Sequence, residues 1–113
     1  MLSKNNRLQK DKEIKSLIEK GQTFFLPQFV IKYQKNKENT PRFAFVISTK
    51  VDKRAVVRNR LKRQLREAIR EFLPRITGFD VLVIVKKSAL ELDFATISKQ
   101  MEFALTKIGL LKK

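Results

Sequence analysis

Three features of the 113-residue sequence predict an α+β sandwich, with helices packed on one sheet. The first is VLVIV, residues 81–85, five consecutive β-branched or Leu residues that read as a strand buried on both faces. The second is a pair of extended, aromatic-rich segments, TFFLPQFVIKYQ and RFAFVIS, on either side of the turn cluster KNKENTP. The third is RNRLKRQLREAIRE, residues 58–71, whose apolar positions recur at helical spacing. The length suits a single domain over residues 1–113, large enough to bury a core without covalent staples.

Along the chain, Asp11 reads as the N-cap of a first helix reaching about Lys20, with Glu13 in its first turn and Gly21 as its stop. Ile14, Leu17 and Ile18 fall at i, i+3 and i+4 and give it a narrow apolar stripe. From Thr23 the chain turns extended. Pro27 interrupts it, which predicts a short strand, a break or bulge, and a longer strand from about Phe29. In RFAFVIS, Phe43, Phe45 and Ile47 share one face and Ala44, Val46 and Ser48 the other. This run and FVIKYQ are expected to pair as a hairpin. KVDKR, residues 50–54, is a charged loop into the basic helix, which ends before Pro74. After VLVIV, a last helix is expected from Asp93, a good N-cap, to about Lys107, closed by Gly109. Its apolar set is Phe94, Ile97, Met101, Leu105 and Ile108. Phe24, Phe25, Phe29, Phe43 and Phe45 are read as core.

Composition narrows the function. With 26 Lys plus Arg against 11 acids, the net charge of +15 points to a polyanionic partner. Residues 50–75 carry ten of the cations and three of the acids, so the basic face has an address. The chain has no Cys, hence no disulfide and no thiolate metal site. It has no His either, which removes the usual general base and metal ligand. Asp52, Glu67, Glu71 and Asp80 are scattered and read as surface charge. The sequence therefore offers neither catalytic residues nor a cofactor or metal held by the protein alone. No apolar run approaches the roughly 20 residues that span a bilayer, and MLSKNNRLQKDKE lacks a signal-peptide core. A cytoplasmic protein with no membrane partner is expected.

The basic helix carries the functional signal. At about 100° per residue, Val57, Leu61, Leu65, Ala68, Ile69 and Phe72 cluster on one arc. Arg58, Asn59, Lys62, Arg63, Arg66 and Arg70 lie opposite, with Arg60 and Glu67 at the rim. Arg54, Arg58, Lys62, Arg66 and Arg70 are spaced four apart, and each like-charge pair costs roughly 0.2–0.5 kcal/mol. An ordinary wet face mixes signs; this one does not. Phosphate contacts would turn the repulsion into neutralisation, with counterion release adding to affinity. The bias to Arg fits bidentate phosphate contacts.

The segment STKVDKRAVVRNRLKRQLREAIRE, residues 48–71, closely resembles the signature of the bacterial ribonuclease P protein family, whose hallmark is an Arg-Asn-Arg helix. Arg7-Leu8, Lys20-Gly21, the FVIKY strand and ALELDF also fall where that family has them, so the resemblance covers nearly the whole chain. It implies an αβββαβα sandwich with a central mixed sheet and a left-handed crossover helix (ribosomal S5 domain 2-like). It also implies a non-catalytic protein subunit, one per catalytic RNA, in the enzyme that removes the 5′ leader of precursor tRNA. The RNA would carry out the phosphodiester hydrolysis with Mg2+. By position, Lys50, Lys53, Arg54, Arg58, Asn59, Arg60 and Arg63 would face ribonuclease P RNA. Ile14, Ile18, Lys32, Lys62, Arg66 and Arg70 would line or border a cleft for the single-stranded leader.

Ile14 and Ile18 stand where relatives often carry Phe, and they suit core packing equally well. Lys32 stands where relatives often carry Tyr, with Tyr33 displaced to the opposite face. VDKR replaces a Gly-containing turn that is one residue shorter in many relatives. The alternative reading is a structural RNA-binding protein such as a ribosomal component. Composition fits it as well, but the Arg-Asn-Arg helix in its full context does not.

Overall fold

The most apolar segment of the chain organises the sheet. In the computed structural model, which describes residues 7–8, 11–37, 40–76 and 78–110, the elements are α1 (Asp11–Lys20), β1 (Gln22–Phe25), β2 (Phe29–Lys35), β3 (Arg42–Val46), α2 (Ala55–Arg70), β4 (Phe79–Val85) and α3 (Phe94–Lys107). Short 3-10 turns occupy Leu73–Arg75 and Lys87–Glu91. The strand order is β1-β2-β4-β3. β4 runs antiparallel to β2 and parallel to β3, so the sheet is mixed and α2 is the crossover between two parallel neighbours.

This order corrects the expected hairpin between FVIKYQ and RFAFVIS. β2 and β3 do not pair, because β4 lies between them. A strand that is apolar on both faces gains most from a central position, where both faces and both edges are covered. The hairpin forms one strand earlier. Pro27 marks a tight turn between β1 and β2, closed by Leu26 N donating to Phe29 O at 2.8 Å.

Alternation along β4 feeds two cores. Val81, Val83 and Val85 join Phe29, Ile31 and Phe43 beneath α2 and α3. Leu82 packs on the other face with Leu8 and Leu17, with Ile14, Ala44 and Ile84 at the margin, beneath α1. α1 is a short helix and covers only part of that face. Leu17 is fully buried, whereas Ile18 is 46% exposed and Ile14 half-buried, so the core reading of Ile18 does not hold. The core reading of Phe25 is corrected as well, since it is 71% exposed. Period 2 explains it: Phe24 packs against the main core, which sends Phe25 to the face that α1 leaves open.

Two glycines sit where the backbone requires them. A Cβ on Gly21 would meet Leu17 O at 2.5 Å and Tyr33 O at 3.2 Å. Gly109 closes α3 with φ of +83°. Asp93 caps α3 as expected, its Oδ1 accepting from Thr96 N at 2.8 Å, and this holds its carboxyl below the usual range. Phe94 leaves the expected apolar set at 42% exposed, and Ala104 is buried in that helix. α1 starts with Asp11 as its first helical residue, and the position ahead of it lies outside the described residues.

Asp80, read from sequence as surface charge, is 4% exposed. Arg42 grips it with two bonds, Nε to Oδ1 at 2.8 Å and Nη2 to Oδ2 at 2.9 Å. Asn36 Nδ2 donates to the same Oδ1 at 2.9 Å. Arg42 also reaches Glu13 on α1 at 2.6 Å, so one guanidinium ties α1, β3 and β4 together. Its bonds to Asp80, above all, push its pKa up. A buried carboxylate needs such pairing to offset its desolvation.

Candidate nucleic-acid interface

The apolar arc of α2 is buried as its spacing predicts: Val57, Leu61, Leu65, Ala68 and Ile69 all face the core. That docking fixes which way the cations point. Asn59, Arg60, Arg63 and Arg70 are exposed, while Arg58, Lys62 and Arg66 are half-buried along the flank. The N-terminus of α2 has no side-chain cap and no acid in its first turn, and Arg54 stands at the N-cap position. Cations at the positive end of a helix dipole add to the repulsion.

The loop before α2 is built around Asp52. Its Oδ1 accepts from Arg54 N at 2.8 Å and Arg54 Nε at 3.1 Å, and its Oδ2 pairs with Arg54 Nη2 at 3.0 Å. The Arg54 side chain, then its backbone N–H, hold the Asp52 carboxyl down at about 2. Val51 anchors the loop at 4% exposure. Arg58 Nη1 donates to the carbonyls of Asp52 at 2.8 Å and Lys53 at 2.9 Å. Lys50, Lys53, Arg54, Arg58, Asn59, Arg60 and Arg63 thus fall on consecutive loop and helix turns, and two of them, Arg54 and Arg58, already have intramolecular partners. Nothing in the spacing signalled Arg58 as a clamp.

Lys62 and Arg66 belong to a different surface. They line a cleft of about 250 Å3 together with Ile14 of α1 and Phe43, Ala44 and Phe45 of β3. Arg7 and Leu8 complete it, held by Leu8 N donating to Phe43 O at 2.8 Å. Three cations and no acid line this cleft. Arg7 Nε is buried there without a hydrogen-bond partner. Sequence reasoning placed Arg7 only as a landmark before the first helix and read Phe45 as core.

The other expected cleft residues are not in that lining. Arg70 lies further along α2, 3.7 Å from Glu67. Lys32 is on the α1 side of the sheet, opposite Leu82 in register, and its Nζ donates to Thr23 Oγ1 at 3.1 Å. Tyr33 packs against the main core on the other face, as its displacement predicts. Ile18 is exposed beside this face. A second hollow of about 610 Å3, lined by Arg75, Lys99, Glu102, Phe103, Thr106 and Lys107, shares no residue with the cleft.

Among the described residues, no three His, Cys, Asp or Glu side chains are grouped to hold a metal ion. Asp80 and Asp52, the most enclosed carboxylates, are committed to Arg42 and Arg54. The carboxylates of the described residues are therefore not arranged as a magnesium site. Among the described residues, no helix is long and apolar enough to cross a membrane.

The family model, the relatives and the solved structures point to one family. A family model described as Ribonuclease P matches residues 2–109. A ribonuclease P protein component of Bacillus mycoides is 33% identical over 111 residues, covering 96% of each chain. One from Cyanothece is 40% identical over 77 residues, covering 67% of this chain and 59% of the relative. The solved ribonuclease P protein of Staphylococcus aureus superposes with a TM-score of 0.87 at 27% identity, covering 96% of this chain and all of that one. That of Thermotoga maritima gives 0.81 at 28% identity, covering 89% and 96%. With the sheet order, the basic helix and these likenesses together, the chain belongs to the bacterial ribonuclease P protein family, the protein component of the endoribonuclease that matures the 5′ end of tRNA.

Proposed function

We propose that this protein uses two adjoining surfaces for two RNAs. The exposed strip of Arg60 and Arg63, with Asn59, Arg58 and the loop cations Lys50, Lys53 and Arg54, binds ribonuclease P RNA. The cleft of Lys62 and Arg66, bordered by Ile14, Ile18, Lys32 and Arg70, takes the single-stranded 5′ leader of precursor tRNA. One protein serves each RNA, in the cytoplasm. Mg2+ is held by RNA phosphates and not by the chain.

One observation carries this reading. α2 is docked so that Lys62 and Arg66 open into an acid-free cleft while Asn59, Arg60 and Arg63 stay exposed outside it. A single wet face would not divide its cations in this way. Neutralising phosphates on either surface releases counterions and relieves the repulsion along α2.

The test is a reconstituted holoenzyme with ribonuclease P RNA. Arg60→Ala and Arg63→Ala weaken assembly with that RNA by about three- to tenfold each, as expected for single phosphate contacts. Lys62→Ala and Arg66→Ala leave assembly nearly intact and reduce the preference for precursor over mature tRNA. Equal effects of both pairs in both assays would refute the division.

A further inference from the structure

We propose that Phe25 is the base-stacking platform of the leader cleft, at the end remote from Lys62 and Arg66. The proposal rests on the leader reading of that cleft and adds the residue that would recognise unpaired bases.

Strand register places it there. Phe25 pairs with Val30, Val30 with Ile84, and Ile84 with Val46, so these four side chains form one row across all four strands. Ile84 packs at the margin of the α1-side core, which puts the whole row on that face. At about 4.8 Å per strand, the row is roughly 14 Å long. The neighbouring row is Thr23, Lys32, Leu82 and Ala44, and Ala44 lines the cleft of Lys62 and Arg66. The row therefore lies beside the floor of that cleft, on the same face of the sheet.

Phe25 stands out on this floor. It is 71% exposed, and Val46 at the opposite end is 39% exposed. α1 contributes no aromatic residue, and Phe25 is the one aromatic side chain of the sheet on this face among the described residues. Lys32 is its diagonal neighbour, a relation that puts residues about 7–8 Å apart. An open ring beside a cation is the pairing that single-strand grooves use, with the base on the ring and the phosphate on the ammonium. A base inside a duplex has both faces occupied by its neighbours. The arrangement therefore selects unpaired nucleotides, as in a single-stranded leader, over the paired stems of the tRNA.

The chain has no Trp, which gives a clean design. Holoenzymes carrying wild-type protein, Phe25→Leu, Phe25→Trp and Lys62→Ala are titrated with precursor tRNA, mature tRNA, and a precursor whose leader nucleotides are abasic. Phe25→Leu is expected to lower precursor affinity about fivefold or more, leave mature tRNA binding unchanged, and lose its effect on the abasic leader. Phe25→Trp restores the affinity, and its single indole, excited selectively over Tyr33, is quenched by the leader. If Lys62→Ala lowers precursor preference but Phe25→Leu does not, the stacking assignment is wrong while the leader reading stands. If neither variant lowers it, the leader reading itself fails and the proposal fails with it. Equal losses on precursor and mature tRNA would place Phe25 outside the leader path and also overturn the proposal.

Discussion

At the scale of single residues, the cations of the basic segment are not equivalent. Arg58 spends its guanidinium on two loop carbonyls, whereas Arg60 and Arg63 lie exposed. Arg58→Ala should therefore cost about 1 kcal/mol of stability, the net worth of such hydrogen bonds, while Arg60→Ala and Arg63→Ala stay within about 0.5 kcal/mol. The order reverses for RNA. Each of the latter two should reduce the slope of log affinity against log salt by about 0.7–0.9, and Arg58→Ala by less. Urea melts and filter binding at several salt concentrations separate the two effects. The paired Asp52 adds a pH dependence. Its carboxyl is held at about 2 against an ordinary 3.8, so its contribution is full above about pH 4 and fades as pH falls toward 2. The stability gap between wild type and Asp52→Asn should therefore be larger at pH 5 than at pH 2.5. An equal gap at both would show that charge is not what Asp52 supplies. Neither role was legible in sequence, because both depend on how the loop folds back on itself.

At the scale of elements, the sequence was informative wherever one helix face or one strand decides its own burial. The apolar arc of α2, the doubly buried β4, the Asp93 cap and the Pro27 break follow from local spacing, and the structure has them all. The misses come from partners distant in the chain. Phe25 and Ile18 have apolar side chains that periodicity alone would bury; α1 is too short to cover Phe25, and Ile18, on α1 itself, stays exposed beside the buried Leu17. Asp80 looks like any acid until Arg42, 38 residues away, closes on it. The small core under α1 is correspondingly thin, with Leu17 filling its centre. Leu17→Ala should cost roughly 2–5 kcal/mol and loosen α1 ahead of the rest. Gly21→Ala should also destabilise, since its Cβ would strike the Leu17 carbonyl, a backbone atom, as well as the Leu17 side chain. Hydrogen exchange would show α1 amides opening early in both variants while β4 stays protected. Uniform loss of protection would mean that α1 is not a separable unit.

At the scale of the whole molecule, strand order was beyond the sequence, since sequential runs suggest a hairpin until a more apolar strand claims the middle. That insertion has a functional consequence. With β4 central, β3 becomes the edge strand over which α2 and α1 face each other, and the cleft forms there. The same arrangement gathers like charge. Residues 50–75 carry +7 of the net +15, and there the ion pair of Arg70 with Glu67 offsets the strip from within the helix. Four like-charge pairs at helical spacing cost about 1–2 kcal/mol in total, a sizeable share of a domain's margin of about 5–15 kcal/mol. Anions that bind the folded strip should recover that loss by mass action, beyond simple screening. Sulfate is accordingly expected to raise the melting temperature by several degrees more than chloride at equal ionic strength. Charge-reducing variants should shrink the difference, Arg63→Gln and Arg66→Gln together most of all. Identical melting in the two salts would mean that Debye screening accounts for everything and that α2 has no preorganised phosphate sites. A sulfate-specific rise that vanishes in the double variant would locate those sites on α2.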